Sequence, residues 1–274
     1  VEQSLDASGI AHIELGGVVP NPRLSLVYQG IELARSEGVD FILAVGGGSV
    51  IDSAKAIGYG VFNGGNVWDF YDFKRQAEGC LPIGAVLTIA AAGSEMSQSS
   101  VITNENGWVK RGYSSNYCRP VFAVMDPELT MTLPPYQTAC GCVDILMHTM
   151  ERYFNHSGSM EITDGIAEAL MQTVIRNALI VMQHPNDYNA RAEIMWAGSL
   201  SHNGFDHGDW ATHKMEHELG GLFDVAHGAG LAAIWGSWAR YVCDADYARF
   251  ARFATKVLNV APQATDKETA LAGI

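Results

Sequence analysis

The chain has 274 residues, enough for roughly two domains of about 150 residues or a single large one, and 48% hydrophobic against 17% charged residues describes a compact globular protein. Thirty acidic and 17 basic residues leave a net charge of −13, which repels phosphate backbones and argues against nucleic acid as a main partner. No apolar run reaches the roughly 18 to 20 residues of a membrane span, the opening Val1-Glu2-Gln3 has no basic leader, and five irregularly spaced cysteines make no disulfide framework, so a soluble cytoplasmic enzyme is expected.

The first half alternates strand and helix patterns. His12-Ile13-Glu14-Leu15 reads as a short strand and Gly16-Gly17 with Pro20-Asn21-Pro22 as a turn. Ser25 to Glu37 has a helical period, with apolar Leu26, Val27, Ile31 and Leu33, and Gly38 stops it at the expected C-terminal position. Phe41 to Val45 is an unbroken apolar run of strand length, as in a parallel sheet buried on both faces. A helix is expected over Val50 to Tyr59, and strands over Ile83 to Thr88 and Pro120 to Met125. After Leu133-Pro134-Pro135 helical periodicity takes over: Thr138 to Tyr153, Met160 to Met182, Asn189 to Asn203, Trp210 to Leu222, Ala229 to Val242 and Asp246 to Leu258. The fold class is therefore an α/β N-terminal domain, residues 1–130, plus an all-α C-terminal domain, residues 131–274. The sequence has no initiator methionine and stops at Leu271-Ala272-Gly273-Ile274, so it reads as a segment of a longer polypeptide.

Gly46-Gly47-Gly48-Ser49 lies between a buried strand and a helix. Three glycines without Cβ atoms let backbone N–H groups approach an anion, and the helix N-terminus adds its dipole. The same residues would also make a tight turn with no ligand, but ligands of open α/β sheets bind beyond the carboxyl ends of strands, which favours phosphate. A second small-residue segment, Thr88-Ile89-Ala90-Ala91-Ala92-Gly93-Ser94-Glu95, offers a hydroxyl at Thr88, although its composition favours a helix packed on the sheet.

The nine histidines are unevenly placed. Asp144 and His148 are spaced i, i+4 on one helical face, His213 and His217 repeat the spacing, and His227 stands at another helix start. Together they suit a divalent metal held by three or four N/O ligands with one open position, and spacing leaves open which four of the five ligate. Lys214 occupies the place where a zincin motif needs glutamate; Glu216 or Glu218 is a candidate to orient an imidazole. His12, His156, His184, His202 and His207 are read as surface residues, Cys140 and Cys142 as small packing residues, and Trp196, Trp210, Trp235 and Trp238 as core.

Gly46-Gly47-Gly48-Ser49-Val50-Ile51-Asp52-Ser53-Ala54-Lys55, Gly93-Ser94-Glu95, Asp126-Pro127, Leu133-Pro134-Pro135, Asp144-x-x-x-His148, His213-x-x-x-His217 and His227-Gly228 occur in the order found in the iron-containing (group III) alcohol dehydrogenases. The chain resembles that family from about Gly16 to Val260, and Asp209-Trp210-Ala211-Thr212-His213 is most similar to its NADPH-dependent butanol dehydrogenase and aldehyde reductase branch. The resemblance implies a dehydroquinate synthase-like architecture with a nicotinamide cofactor, NADP or NAD, and one divalent metal, iron or zinc, between the domains. By position it implies Asp144, His148, His213 and His227 as metal ligands and His217 as the catalytic proton relay beside them. It also implies Gly46, Gly47, Gly48 and Ser49 on the pyrophosphate, with Asp52 and Thr88 near the cofactor. Where the family has threonine this chain has Ala92, so one hydrogen bond to the cofactor is expected to be missing or replaced by water. The implied reaction is reversible reduction of a small aldehyde to a primary alcohol by a homodimer or larger assembly. A polyol dehydrogenase, or a metal-dependent lyase or hydrolase on the same fold, is the alternative.

Overall fold

The computed structural model describes residues 1–155, 160–203 and 208–274. A short exposed helix, α1 (Glu2–Ala7), is followed by irregular chain. The strand expected at His12 to Leu15 does not form: this stretch pairs with no described strand, and Ile13 and Leu15 stay 47% and 37% exposed. Helix α2 (Leu24–Ser36) buries Leu24, Val27, Ile31 and Ala34, spaced along one stripe, and Gly38 follows in the left-handed region at φ +66°.

Strand β1 (Ile42–Gly46) runs into α3 (Gly48–Asn63), which buries Ile51, Ala54 and Ile57. After α4 (Trp68–Tyr71), β2 (Ile83–Leu87) pairs in parallel with β1, Ile42 opposite Ile83 and Gly46 opposite Leu87. An antiparallel hairpin not among the expected elements follows, of β3 (Ser99–Asn104) and β4 (Val109–Ser114), in which Ser99 faces Ser114 and Asn104 faces Val109. Strand β5 (Phe122–Val124) then joins the far side of β2, giving the order β1-β2-β5. This mixed α/β part has its own core, centred on Val27, Ile51, Tyr59, Phe70, Ile83 and Ile102.

Pro135, whose missing N–H costs nothing in a first helical turn, starts α5 (Pro135–Tyr153). The remaining helices are α6 (Glu161–Gln183), α7 (Tyr188–Asn203), α8 (Ala211–Phe223), α9 (His227–Val242), α10 (Tyr247–Lys256) and α11 (Asp266–Gly273). Helix α5 lies centrally, packed against α6, α7 and α9. Its Ile145 and Met147 are 0% and 2% exposed, each burial stabilising by about 1.5–3 kcal/mol. Small residues let α5 touch its neighbours: a Cβ on Gly228 of α9 would lie 2.1 Å from the Cys140 carbonyl oxygen, and one on Gly141 2.3 Å from that of Ala90 in the segment after β2.

Among the described residues α6 alone has the length and mean hydropathy of a membrane span, which the sequence reading overlooked because charges interrupt it. Two of those charges are paired within the protein: Asp164 with Arg249 and Arg252, and Glu168 with Arg252. All five cysteines are free thiols. Trp196 is 53% exposed on α7 rather than core, whereas Trp235 and Trp238 pack against buried clusters as expected.

Candidate metal and nucleotide site

Helical geometry assembles the first part of the site. Positions 144, 148 and 151 follow the i, i+4, i+7 stripe of α5, so Asp144, His148 and Glu151 share one buried face. Helix α8 brings His213 to that face, and His227 at the first turn of α9 completes the group. The His213 and His227 Nε2 atoms stand 3.7 and 3.5 Å from Asp144 Oδ1, and the rings of His148 and His213 are 4.6 Å apart. Ligand atoms of Asp144, His148 and His213 all fall within 4.8 Å of one another.

The hydrogen bonds behind these rings decide which nitrogens are bare. His148 Nδ1 donates to the Asp144 carbonyl at 3.0 Å, and His213 Nδ1 donates to Glu151 Oε1 at 3.1 Å. His227 Nδ1 meets Glu216 Oε2 in a short contact. Each ring thereby keeps its proton on Nδ1 and presents a lone pair at Nε2. Asp144 Oδ1 and His213 Nε2 are buried without a hydrogen-bond partner. Lone pairs facing one another in a dry pocket are satisfied by a cation among them, either a proton on His213 Nε2 or a metal ion. Metal–ligand distances of about 2.0–2.2 Å put neighbouring tetrahedral ligands roughly 3.3–3.6 Å apart, close to the spacings observed. The donor set therefore fits a divalent ion with N/O preference.

The electrostatics divide: they favour an ionised Asp144 and a neutral His148, as ligation needs, and a more basic His213, whose second proton a metal would displace. Burial opposes ionisation of Asp144, but His148, His227 and His213 hold it below the usual carboxylate range. Burial pushes His148 down to about 3, so its ring is neutral as a ligand must be. Burial likewise lowers His213, but the carboxylates of Asp144 and Glu151 outweigh it and raise this group.

His217 stands apart from the cluster, its ring 6.1 Å from that of His227, and lines the same cleft. Burial lowers its pKa well below the ordinary histidine value, which favours the neutral ring. His202 is not a surface residue: its ring lies 4.9 Å from His148 and Arg152 Nη2 donates to its carbonyl at 2.8 Å. Trp210 is not core either; it stands edge-on to His148 and His213 with the Arg152 guanidinium 4.5 Å from its ring centroid. Of the remaining histidines, His12 and His184 are exposed as expected, while His156 and His207 lie outside the described residues. Sequence reasoning missed Glu151, Arg152 and Lys110. Glu151 was findable, since it continues the Asp144–His148 stripe by one turn.

The glycine loop lines a cleft of about 1270 Å³ that is also lined by Asp144, His148, His213, His217 and His227. Gly47, Gly48, Ser49 and Asp52 line it; Gly46 and Thr88 stand behind the wall, where the Thr88 N–H donates to the Gly46 carbonyl at 3.1 Å. A Cβ on Gly47 would fall 2.2 Å from Ile89 Cγ2, and one on Gly48 3.3 Å from Ala92 Cβ, so backbone and loop approach closely only without side chains. No helix forms over Thr88 to Glu95: Gly93, at φ +61°, turns the chain, and Ile89, Ala91, Ala92 and Ser94 join the cleft wall. Asp52 directs Oδ1 to the Ser94 hydroxyl at 2.6 Å and Oδ2 to the Val101 N–H at 2.9 Å, fastening α3 to β3. Lys55, wholly buried, lies within 2.7–3.2 Å of oxygens of Ser94, Ser97 and Ser99, and burial lowers its pKa.

The whole chain is similar to known proteins of one family. A family model for iron-containing alcohol dehydrogenase matches residues 1–127, and one for the C-terminal part of the Fe-containing alcohol dehydrogenase family matches 138–274. Probable NADH-dependent butanol dehydrogenase 2 of Bacillus subtilis (strain 168) is 42% identical over 275 residues, 98% of this chain and 70% of that protein. The NADPH-dependent aldehyde reductase YqhD of Escherichia coli (strain K12) is 34% identical over 97% of this chain and 71% of its own length. The crystal structure of NADH-dependent butanol dehydrogenase A from Thermotoga maritima superposes with a TM-score of 0.95 at 41% identity, covering 99% of this chain and 70% of that one.

Proposed function

Because the chain belongs to the iron-containing alcohol dehydrogenase family, we propose that it transfers a hydride between a nicotinamide cofactor and a small aldehyde or primary alcohol. The observation that carries this reading is the shared cleft, lined by a glycine loop together with an aspartate and three imidazoles gathered around it. Gly47, Gly48 and Ser49 offer backbone N–H groups and a helix N-terminus to a pyrophosphate, while Gly46, Asp52 and Thr88 hold that loop in shape. Asp144, His148, His213 and His227 are the proposed ligands of one divalent ion, iron or zinc. When bound, the ion supplies a Lewis acid for the carbonyl oxygen and the reduced nicotinamide supplies the hydride. His217, neutral in its buried setting, is the proposed relay that accepts a proton at one ring nitrogen and passes one on from the other. Trp210 and Ile89 narrow the cleft with apolar surface, which suits a short aliphatic substrate.

The chain divides, on this proposal, near residue 130 into a nucleotide-binding unit and a metal-binding helical unit. We further propose a cytoplasmic homodimer or larger assembly with no nucleic-acid or membrane partner, supported by the acidic surface and the free thiols. The test is oxidation of NADH and of NADPH by butyraldehyde after loading with iron or zinc. Turnover that requires both metal and nicotinamide is expected. Metal-dependent turnover of an ester with no nicotinamide requirement would favour a hydrolase instead.

A further inference from the structure

Lys110 on β4 belongs to the hairpin of the nucleotide side, yet its ammonium is 3.1 Å from Glu216 Oε2 on α8. The side chains of both are almost inaccessible, 5% and 0% exposed. The same Oε2 is the oxygen that receives His227 Nδ1. Helix backbones are shaped around this carboxylate: a Cβ on Gly230 would fall 2.8 Å from Glu216 Cγ, and one on Gly220 would fall 3.0 Å from both Glu216 Oε1 and Lys110 Nζ. Alongside, Asn21 and Arg23 grip Asp224 at 3.0 and 2.8 Å, at the corner between α8 and α9, and a Cβ on Gly221 would strike the Trp108 carbonyl of the hairpin turn at 2.4 Å.

Two neighbours compete for His227 Nδ1. Lys110 Nζ lies 3.4 Å away, and as a donor it would force the ring proton onto Nε2 and abolish ligation. The nearer Glu216 oxygen sets the opposite tautomer by accepting the Nδ1 proton. Lys110 donates to that same oxygen at 3.1 Å and so fixes where it stands.

We propose that Lys110 is a positioning residue for the fourth metal ligand: by pairing with Glu216 it keeps the His227 lone pair directed at Asp144, so that the nucleotide-side hairpin sets the metal affinity of the helical half. The proposal rests on the metal reading above. The experiment uses Co²⁺ as probe, whose visible d–d bands report coordination, with chelator competition giving the affinity. Wild type, Asp144→Ala, Lys110→Met and the charge-neutral double variant Lys110→Met/Glu216→Gln are compared.

Wild type is expected to bind one Co²⁺, Asp144→Ala none. Lys110→Met and the double variant are expected to lose about 10- to 100-fold in affinity, the range for residues that orient a ligand, with altered bands. The double variant buries no unpaired charge, so it tests the Lys110–Glu216 pair as a unit if Lys110→Met fails to fold. Wild-type affinity and bands in the double variant, or in a folded Lys110→Met whose melting temperature alone has dropped, would overturn the proposal. A wild-type protein that binds no Co²⁺ would overturn the metal reading and this proposal with it.

Discussion

Replacing Gly228 by alanine pushes one methyl group into backbone. The new Cβ would lie 2.1 Å from the Cys140 carbonyl oxygen, 2.7 Å from its carbon and 2.8 Å from its Cα, none of which can rotate away. Reaching the 3.4 Å of ordinary contact means separating α9 from α5 by roughly 1.3 Å at the turn that carries His227. Overpacking of this kind costs about 1–3 kcal/mol, a fall of roughly 3–10 °C in melting temperature for a chain of this size. The same shift takes His227 from its place 3.5 Å from Asp144, so metal affinity should fall about 10- to 100-fold besides. Gly236→Ala on the same helix is the control. Its Cβ meets only the flexible end of Arg240, at 3.3 Å, and an alanine in a helix interior gains up to about 1 kcal/mol. Thermal denaturation with and without Zn²⁺, and Zn²⁺ competition with a chelator, compare the two. Equal melting temperatures and equal Zn²⁺ affinities in the two variants would refute the reasoning.

Gly47→Ala displaces Ile89 into the cleft and should raise the nicotinamide KM by about tenfold, on the order of 1.4 kcal/mol, with metal content unchanged by elemental analysis. His217→Ala should lower kcat by about 10²- to 10⁴-fold while the metal stays; loss of metal would make His217 a ligand instead. Asp164 is buried and receives Arg249 Nη1 at 2.7 Å, and this bond holds its pKa below the ordinary value. Its contribution is complete above the ordinary aspartate value and is lost as pH falls through the lowered one. Asp164→Asn leaves Arg249 poorly paired and should cost about 3–5 kcal/mol at neutral pH in urea unfolding, a deficit that shrinks in acid.

How far the sequence could be read depended on whether a feature repeats along the chain or is made across it. The helical half was legible because its apolar stripes recur every three or four residues, and α5 to α10 lie within a few residues of their expected bounds. Asp144 and His148 share a helix face, so their proximity is local geometry. That His213 and His227 join them depends on how α8 and α9 pack on α5, which the residues themselves do not encode in any spacing. The β3–β4 hairpin was missed although Asn106-Gly107 marks its turn, Gly107 taking φ +90°, because serines and a threonine dilute the apolar alternation. His202 and Trp210 were misassigned because their surroundings come from α5 and α7 rather than from sequence neighbours.

The claim on which the account turns is that a metal ion sits between Asp144 and the three histidines. Elemental analysis of the purified protein after loading with iron or zinc, beside Asp144→Ala of matching circular dichroism, tests it directly. About one ion per chain in the wild type and almost none in the variant is the predicted result. An Asp144→Ala protein that keeps its metal, or a folded wild type that takes up none, would contradict it.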